Sequence, residues 1–223
     1  MNLDKVVNVV RYISGLPKSI YVNFRVLPFN QAIYLPIIVS RKTKLISLSG
    51  NVILDKVKPG IVRIGFGGSD NMIDYRYSRT LLKLTGTIHF KGKAKIGMGS
   101  RILVHGLLSL GNNLNITGDT LLSCSKGISI GHNCMLAFET IIMDSDQHNI
   151  YDIDGKCINE SKEIVIGDDV WVGARAFILK NTKIEDGSIV SANSTLTKSF
   201  NNKNSIIGGN PNRVLKEDIK WEH

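Results

Sequence analysis

The chain has 223 residues and a mass of 24.6 kDa, with 43% hydrophobic side chains, 21% charged side chains and a net charge of +9. This size and composition allow one packed core and exclude an intrinsically disordered protein. No apolar run reaches the roughly 20 residues that a membrane-spanning helix needs, and the charges scattered among the first 20 residues argue against a secretory signal peptide.

Residues 1–44 form a basic segment in which Pro17, Pro28 and Pro36 predict turns and extended pieces rather than long helices. Residues 1–60 carry nine basic side chains against two acidic ones. No zinc-finger, RRM or helix-turn-helix pattern accompanies this charge, so nucleic acid is the least favoured partner. Two readings stay open for the segment: a substrate-side cap on the first coils, which we favour, and peripheral contact with an anionic membrane surface.

A six-residue repeat organises most of the remaining chain. Between residues 166 and 196 every sixth residue is a branched aliphatic, and a small or branched residue follows four positions later. Neither the helical period of 3.6 nor the strand period of 2 explains a sustained period of six, whereas a solenoid of short strands around a narrow interior does. The aliphatic positions are Ile166, Val172, Ile178, Ile184, Val190 and Leu196. The pattern fits residues 84–216 well and residues 45–83 loosely.

The repeat is interrupted once, by the segment DSDQHNIYDIDGKCINESKE at residues 144–163. Ile142 and Ile166 are 24 residues apart and in phase, so these residues form a loop ejected from a regular coil, with a turn at Asp154-Gly155. Long loops of this kind in a compact domain are usually functional. After Leu196 the repeat dissolves, and Val214 to His223 is predicted to form a short helix that covers the open end.

The three cysteines, Cys124, Cys134 and Cys157, are an odd number without CxxC spacing. They predict structural thiols in a reducing compartment, and hence a cytoplasmic protein, rather than a disulfide framework.

The repeat resembles that of the hexapeptide acyltransferase superfamily, and the DSDQH loop resembles its polysaccharide and lipopolysaccharide O-acetyltransferase branch. The resemblance implies an all-β fold, namely a left-handed parallel β-helix with an N-terminal cap, one ejected loop and a short C-terminal helix. The expected domains are a cap at 1–44, an acetyltransferase β-helix at 45–216 with the loop at 144–163, and a tail at 217–223.

By the same resemblance, His148 in the loop is the catalytic residue. An imidazole with an ordinary pKa near 6.5 is a natural general base for a hydroxyl at neutral pH. Asp144 or Asp146 is expected to orient the imidazole, and the residues leave open which of the two does so. His132 and His148 have no evident third partner, so no metal site is expected.

Acetyl-CoA is the implied co-substrate, held in the groove between neighbouring subunits of a homotrimer. Residue-by-residue matching assigns the pantetheine arm to main-chain groups near Gly173, Ala174 and Ala192, and the oxyanion to groups near the first two. Trp171 must point outward, where it lines the acetyl pocket or packs at the subunit contact. Basic side chains suit the nucleotide phosphates. The residues matched to this end of acetyl-CoA are Thr197, Lys198, Arg213 and Lys216.

These assignments predict an acetyl-CoA-dependent O-acetyltransferase that modifies a sugar hydroxyl in capsule or O-antigen synthesis through a direct ternary complex, with no metal. The acceptor is a sugar or glycan, either lipid-linked or finished polymer. Two alternatives stay open: a xenobiotic or amino-sugar acetyltransferase with the same donor site, and a non-catalytic β-helix that serves as a scaffold.

Overall fold

The computed structural model describes residues 3–67 and 77–222, with side chains from residue 9 onward. Its strands form three sheets, which we name faces A, B and C in the order in which each coil visits them. The face A strands are β1 (Ile37–Val39), β4 (Val62–Ile64), β7 (Ala94–Ile96), β10 (Leu114–Ile116), β13 (Met135–Leu136), β16 (Trp171–Val172), β19 (Ile189–Val190), β21 (Ile206–Gly208) and β22 (Arg213–Lys216).

The other two faces complete each coil. The face B strands are β2 (Lys44–Leu48), β5 (Leu81–Leu84), β8 (Arg101–Val104), β11 (Leu121–Cys124), β14 (Ile141–Met143), β17 (Phe177–Leu179) and β20 (Thr195–Leu196). The face C strands are β3 (Asn51–Leu54), β6 (Thr87–Phe90), β9 (Leu107–Leu110), β12 (Gly127–Ile130), β15 (Ile164–Ile166) and β18 (Lys183–Ile184). Every pairing except that of β21 with β22 is parallel, so the chain winds as a β-helix. We name its corners the A/B, B/C and C/A edges.

The interior is the stack of aliphatic side chains that the repeat predicts. The six aliphatic residues of the repeat between 166 and 196 are at most 1% exposed, and the small residues two positions before them are buried as well. A large side chain in place of these small residues would not fit beside the stacked aliphatics. The buried small or branched positions are Val170, Ala176, Thr182, Ser188 and Ser194.

The coils have two lengths. Leu121 pairs with Arg101, 20 residues earlier, whereas Thr195 pairs with Phe177, 18 residues earlier. We call residues 81–133 the long coils and residues 164–205 the short coils. Face B of a long coil buries three side chains, as at Ser100, Ile102 and Val104, and the two additional residues lie at the B/C edge.

The other two edges depend on left-handed backbone. At the C/A edge one residue in each of five successive coils has φ between 51° and 69°. Asn, Asp and Gly adopt this conformation at least cost, which explains the recurrence of these residue types. The residues are Asn113, Asn133, Asp169, Gly187 and Asn204.

The prediction that residues 1–44 lack a long helix is wrong. Helix α1 (Leu3–Val26) runs through Pro17 and is followed by the short helix α2 (Phe29–Ala32). Tertiary contacts favour the helix, because α1 covers the open side of strand β1. The Ser19 Oγ accepts the Val39 N–H at 2.8 Å, and the Asn23 side chain bonds both the N–H and the carbonyl of Ile37.

The β-helix begins upstream of the predicted boundary at residue 45, since β1 already pairs with β4. The predicted C-terminal helix is also wrong within the described residues, which end at 222. Residues 209–212 reverse the chain, and β22 then pairs antiparallel with β21. The last strand of face A would otherwise expose a free edge, and this return strand occupies it.

Candidate active site

The ejected loop leaves the coil at the B/C edge, between β14 and β15, and folds into a small hairpin of its own. The Ile158 N–H donates to the Ile150 carbonyl at 2.9 Å, and Tyr151 forms an antiparallel bridge with Cys157. Gly155 has φ of 79° in the connecting turn, so the turn predicted at Asp154-Gly155 is confirmed. The loop therefore has an ordered backbone of its own.

Asp144 begins the loop and is fully buried. Its carboxylate accepts the backbone N–H groups of Ser125, Lys126 and Gly127 at 2.6–2.7 Å. In the preceding coil the matching N–H groups of His105 and Gly106 donate to the carbonyl of Cys124. The chain departs at residue 144, so the carboxylate supplies acceptors that the next coil would otherwise provide. Asp144 thus closes the edge from which the loop emerges, and its carboxylate oxygens are occupied away from the imidazole.

Asp146 anchors the loop to the following coil. Its Oδ2 accepts from Lys180 Nζ at 2.5 Å and from Asn159 Nδ2 at 2.8 Å. These two hydrogen bonds, together with the charge of Lys180, hold the pKa of the Asp146 carboxyl below its usual range. Asn159 Nδ2 also donates to the backbone carbonyl of His148 at 2.8 Å. Asp146 therefore acts on the backbone of His148 through Asn159 and does not contact the ring.

The side chain of His148 is exposed, and its ring nitrogens make no hydrogen bond within the described residues. The backbone beside it is fixed by Gln147, which has φ of 66° and donates from Nε2 to Ser123 Oγ at 3.0 Å. The arrangement presents a free imidazole on an anchored backbone, as a base that must meet an external hydroxyl requires.

Three of the residues matched to the donor site lie together. Gly173, Ala174 and Ala192 all occupy the A/B edge in consecutive coils. A Cβ placed on Gly173 would lie 2.6 Å from the Ala192 nitrogen, so the two coils meet there backbone to backbone. The Gly173 N–H donates to the Val190 carbonyl at 2.8 Å and is not available for an oxyanion. The Ala174 N–H makes no backbone hydrogen bond in the described part of the chain.

The residues matched to the nucleotide end divide between two places. Arg213 and Lys216 are exposed on β22, where Arg213 pairs with Gly208 beside the A/B edge. Thr197 and Lys198 follow β20 on the way to the B/C edge, and Lys198 Nζ lies 5.6 Å from the ring centre of Phe200. Within one chain the loop carrying His148 and the edge carrying Ala174 are thus on opposite sides of face B.

Trp171 points outward from face A, as the narrow interior demands, and remains 38% exposed. Its neighbour is Trp221, with ring centres 6.1 Å apart, and the Trp221 Nε1 donates to the Asp169 carbonyl at 2.7 Å. Trp221 was not predicted. The signal that could have identified Trp221 is that it is the second tryptophan in a chain with few aromatic residues.

Lys180 and Asn159 were also missed, since no motif marks either residue. Their importance arises only because the loop folds back over the next coil, where Lys180 Nζ additionally donates to the Asn159 carbonyl at 2.8 Å. Sequence separation conceals contacts of this kind.

His132 serves the coil itself. Its Nδ1 accepts the backbone N–H of Asn112 at 2.9 Å, and the backbone N–H of His132 donates to Asp168 Oδ1 at 2.6 Å. Among the residues at 3–67 and 77–222, no group of three or more His, Cys, Asp or Glu side chains is arranged to hold a metal ion. All three cysteines are free thiols, and burial raises the pKa of Cys124 and of Cys134 to about 12.

The chain matches known proteins in sequence and fold. Residues 163–198 match the family model described as bacterial transferase hexapeptide (six repeats). A polysialic acid O-acetyltransferase of Escherichia coli O1:K1 is 30% identical over 59% of this chain and 41% of its own length. An uncharacterized 24.8 kDa protein in the cps region of Klebsiella pneumoniae is 28% identical over 90% of this chain and 87% of its own length.

The crystal structure of the polysialic-acid-specific acetyltransferase NeuO is similar in fold, with a TM-score of 0.55 and 24% identity over 84% of this chain and 82% of that one. The chain spans less than half the length of the E. coli relative. The described part of the chain contains no helix long and apolar enough to cross a bilayer. Over residues 163–198 the chain thus carries the repeat of the hexapeptide bacterial transferases, and its fold is a left-handed parallel β-helix similar to that of NeuO.

Proposed function

We propose that the protein transfers an acetyl group from acetyl-CoA to a sugar hydroxyl of a surface polysaccharide, with His148 as the general base. The observation that carries the proposal is the exposed imidazole of His148, which no described residue engages, on a loop anchored through Asn159. Similarity to polysialic acid O-acetyltransferases and to a protein of a cps region supports a capsule or O-antigen acceptor.

In the proposed reaction, both substrates meet directly on the protein. The imidazole of His148 takes the hydroxyl proton as the sugar oxygen attacks the thioester carbonyl carbon. The tetrahedral intermediate collapses, the carbon–sulfur bond breaks, and the imidazolium returns the proton to the departing thiolate. Atoms balance without a covalent enzyme intermediate or a metal, because positioning and proton transfer are sufficient. The Ala174 N–H is the candidate donor to the oxyanion.

Donor binding is proposed at the A/B edge. Its main-chain surface at Gly173, Ala174 and Ala192 suits the pantetheine arm, and Arg213 and Lys216 on β22 suit the phosphates. Since His148 lies at the B/C edge, one chain does not bring base and donor together. A homotrimer in which the loop of one copy faces the A/B edge of the next completes the site, as the family resemblance implies.

We further propose that the protein works in the cytoplasm at the inner membrane surface, where its acceptor is carried on a lipid. The outer face of α1 leaves Val9, Ile13, Ile20 and Phe24 at least 45% exposed. Arg11 and Arg25 border this apolar face, Lys18 between them donates from Nζ to the Arg41 carbonyl at 2.6 Å, and no acid occurs between residues 5 and 54. A second copy would set like charges against one another, whereas an anionic bilayer complements them.

The membrane contact is tested by flotation with vesicles of anionic or neutral lipid. Wild-type protein should float with anionic vesicles, and Ile13→Ser/Ile20→Ser should not. The matched pair Ile150→Ser/Ile158→Ser removes exposed isoleucines from the ejected loop and should float normally. Equal flotation of all three proteins, or none by the wild type, contradicts the proposal.

The reaction is tested with His148→Ala and, as control, His105→Ala, another exposed histidine. We expect calorimetric titration to find about one acetyl-CoA site per chain in all three proteins. Acetyl transfer by His148→Ala to a capsular or lipopolysaccharide acceptor should fall about 10²- to 10⁴-fold. Near-normal turnover would remove His148 from the chemistry. Acetylation of an antibiotic or amino sugar in place of a polysaccharide would favour the first alternative, and failure to bind millimolar acetyl-CoA would favour the scaffold.

A further inference from the structure

A cavity lies far from the ejected loop, where the first half of α1 overhangs face A. It has a volume of about 810 Å³ and is bounded by α1, by the approach to β4, and by β7. Its cationic lining residues come from three separate segments of the chain. They are Arg11, Lys56, Lys58, Arg63, Lys93 and Lys95.

Among the residues that the structure describes, the lining of this cavity does not neutralise its positive charge. No Asp or Glu lines it within the described residues. The amino groups of Lys56, Lys58, Lys93 and Lys95 form no ion pair or hydrogen bond in residues 9–67 and 77–222. Uncompensated cations held close together repel one another, so an anionic ligand relieves that repulsion.

One of the cations is held in a fixed position. Arg63 Nη1 donates to the Tyr12 hydroxyl at 2.9 Å, and its Nε donates to the Gly60 carbonyl at 3.3 Å. Its guanidinium lies 5.3 Å from the centre of the Tyr12 ring, which stacks on Phe66 at 4.6 Å. A guanidinium fixed in this way loses little freedom when it binds a carboxylate.

The cations are distributed rather than gathered around one point. Arg63 and Lys95 are register partners on neighbouring strands of face A, and Lys93 lies at the adjoining C/A edge. Lys56 and Lys58 come from the coil before, and Arg11 comes from α1. This spacing fits a ligand with several separated negative charges better than a single phosphate group.

The cavity also shares its face with Trp171, which the sequence matched to the acetyl pocket or the subunit contact. Lys95 and Trp171 both lie on outward positions of face A, and β10 and β13 separate their strands. Strands in a sheet are about 4.8 Å apart, so the two side chains are separated by about 14 Å, or a few sugar residues.

We propose that this cavity binds an acidic glycan, one that carries a carboxylate on successive sugars, and that it holds a distal part of the acceptor chain. The inference rests on the proposed function for the identity of the acceptor. The binding site itself depends only on the cavity and its charges.

The test measures direct binding of a galacturonic acid hexamer, with neutral maltohexaose and inorganic pyrophosphate as comparisons. Lys93→Gln/Lys95→Gln removes two charges from the cavity, and Lys44→Gln/Lys83→Gln removes two charges from face B as a matched control. We expect the acidic hexamer to bind and the neutral one not to bind. The cavity variant should weaken binding about five- to tenfold, on the scale of two partly exposed ion pairs. The face B variant should bind as the wild type does.

Three results would overturn the proposal: no preference for the acidic hexamer, equal weakening by the two variants, or pyrophosphate binding as tightly as the hexamer. The last would make the cavity a phosphate site. Acetyl-CoA titration of the same variants separates the two proposals, because the donor site does not include these lysines. Hexamer binding without acetyl-CoA binding would support the glycan site in the cavity and contradict the proposed transferase reaction.

Discussion

The long coils and the short coils bury different numbers of side chains on face B. In the short coils, residues 164–205, two buried side chains on each face repeat every six residues. In the long coils, residues 81–133, face B buries a third side chain, and the chain turns at the B/C edge through pairs such as His105-Gly106. The ejected loop begins at this same edge, and Asp144 occupies the third buried position that Val104 and Cys124 occupy earlier. The loop that carries His148 thus extends from the edge at which the two kinds of coil differ.

The difference also explains the glycines at the B/C edge of the long coils. A Cβ placed on Gly86 would lie 2.2 Å from the Gly106 carbonyl oxygen, and a Cβ on Gly106 would lie 2.2 Å from that of Lys126. At the B/C edge the long coils therefore stack backbone on backbone with no space for a side chain. The short coils carry no glycine at the B/C edge within the described residues, whereas both kinds of coil have a glycine close approach at the A/B edge, such as that of Gly173 to Ala192.

The largest effect on stability is expected from Gly106→Ala, because the added methyl group must push apart two turns of backbone. We expect the free energy of unfolding to fall by about 3 kcal/mol, at the upper end for overpacking. Gly127→Ala is the matched control, because its nearest neighbour is the flexible side chain of Glu163 at 3.2 Å. Urea unfolding of both variants checks the prediction, and equal midpoints would show that the edge tolerates a side chain.

A smaller loss is expected from Asp144→Asn, which keeps the shape of the side chain. The amide retains one oxygen and turns an N–H₂ group toward donors that the carboxylate accepts. The free energy of unfolding should fall by about 2 kcal/mol, typical of charge-assisted bonds to buried groups. Asp146→Asn, at an exposed position, should leave the unfolding midpoint nearly unchanged. If Asp144→Asn instead abolished turnover at unchanged stability, the carboxylate would belong to the chemistry.

The parts of the fold that the sequence predicted are those fixed by local repetition. Inward aliphatics such as Ile178 and buried small residues such as Ser188 need only the six-residue period, which the short coils display without interruption. Helix α1 was missed because its stability comes from distant groups, the Asn23 and Ser19 bonds to β1, which outweigh the local signal of Pro17.

The candidate site was likewise predicted only where local repetition determines it. The ejected loop that carries His148 was predicted from the break in the repeat. The partners of the two aspartates could not be predicted, since Asp144 reaches backbone N–H groups one coil earlier and Asp146 reaches Lys180 one coil later. Such contacts depend on the register between coils, which the period alone does not specify.

The smallest effect concerns the pH dependence of the loop anchor. The hydrogen bonds from Lys180 and Asn159 lower the pKa of Asp146, so the ionised carboxylate stabilises the folded loop. That contribution is fully present above the unfolded pKa of about 3.9 and is lost as the pH falls through the lower folded value. An NMR titration that follows the Asn159 side-chain amide should therefore have its midpoint below 3.9, and Lys180→Gln should raise the midpoint toward that value. The position of His148 should remain unchanged throughout the neutral range, because the anchor stays ionised there. A wild-type midpoint at or above the ordinary value would show that Asp146 is not held by Lys180, which would leave the Asn159 carbonyl as the contact between Lys180 and the loop.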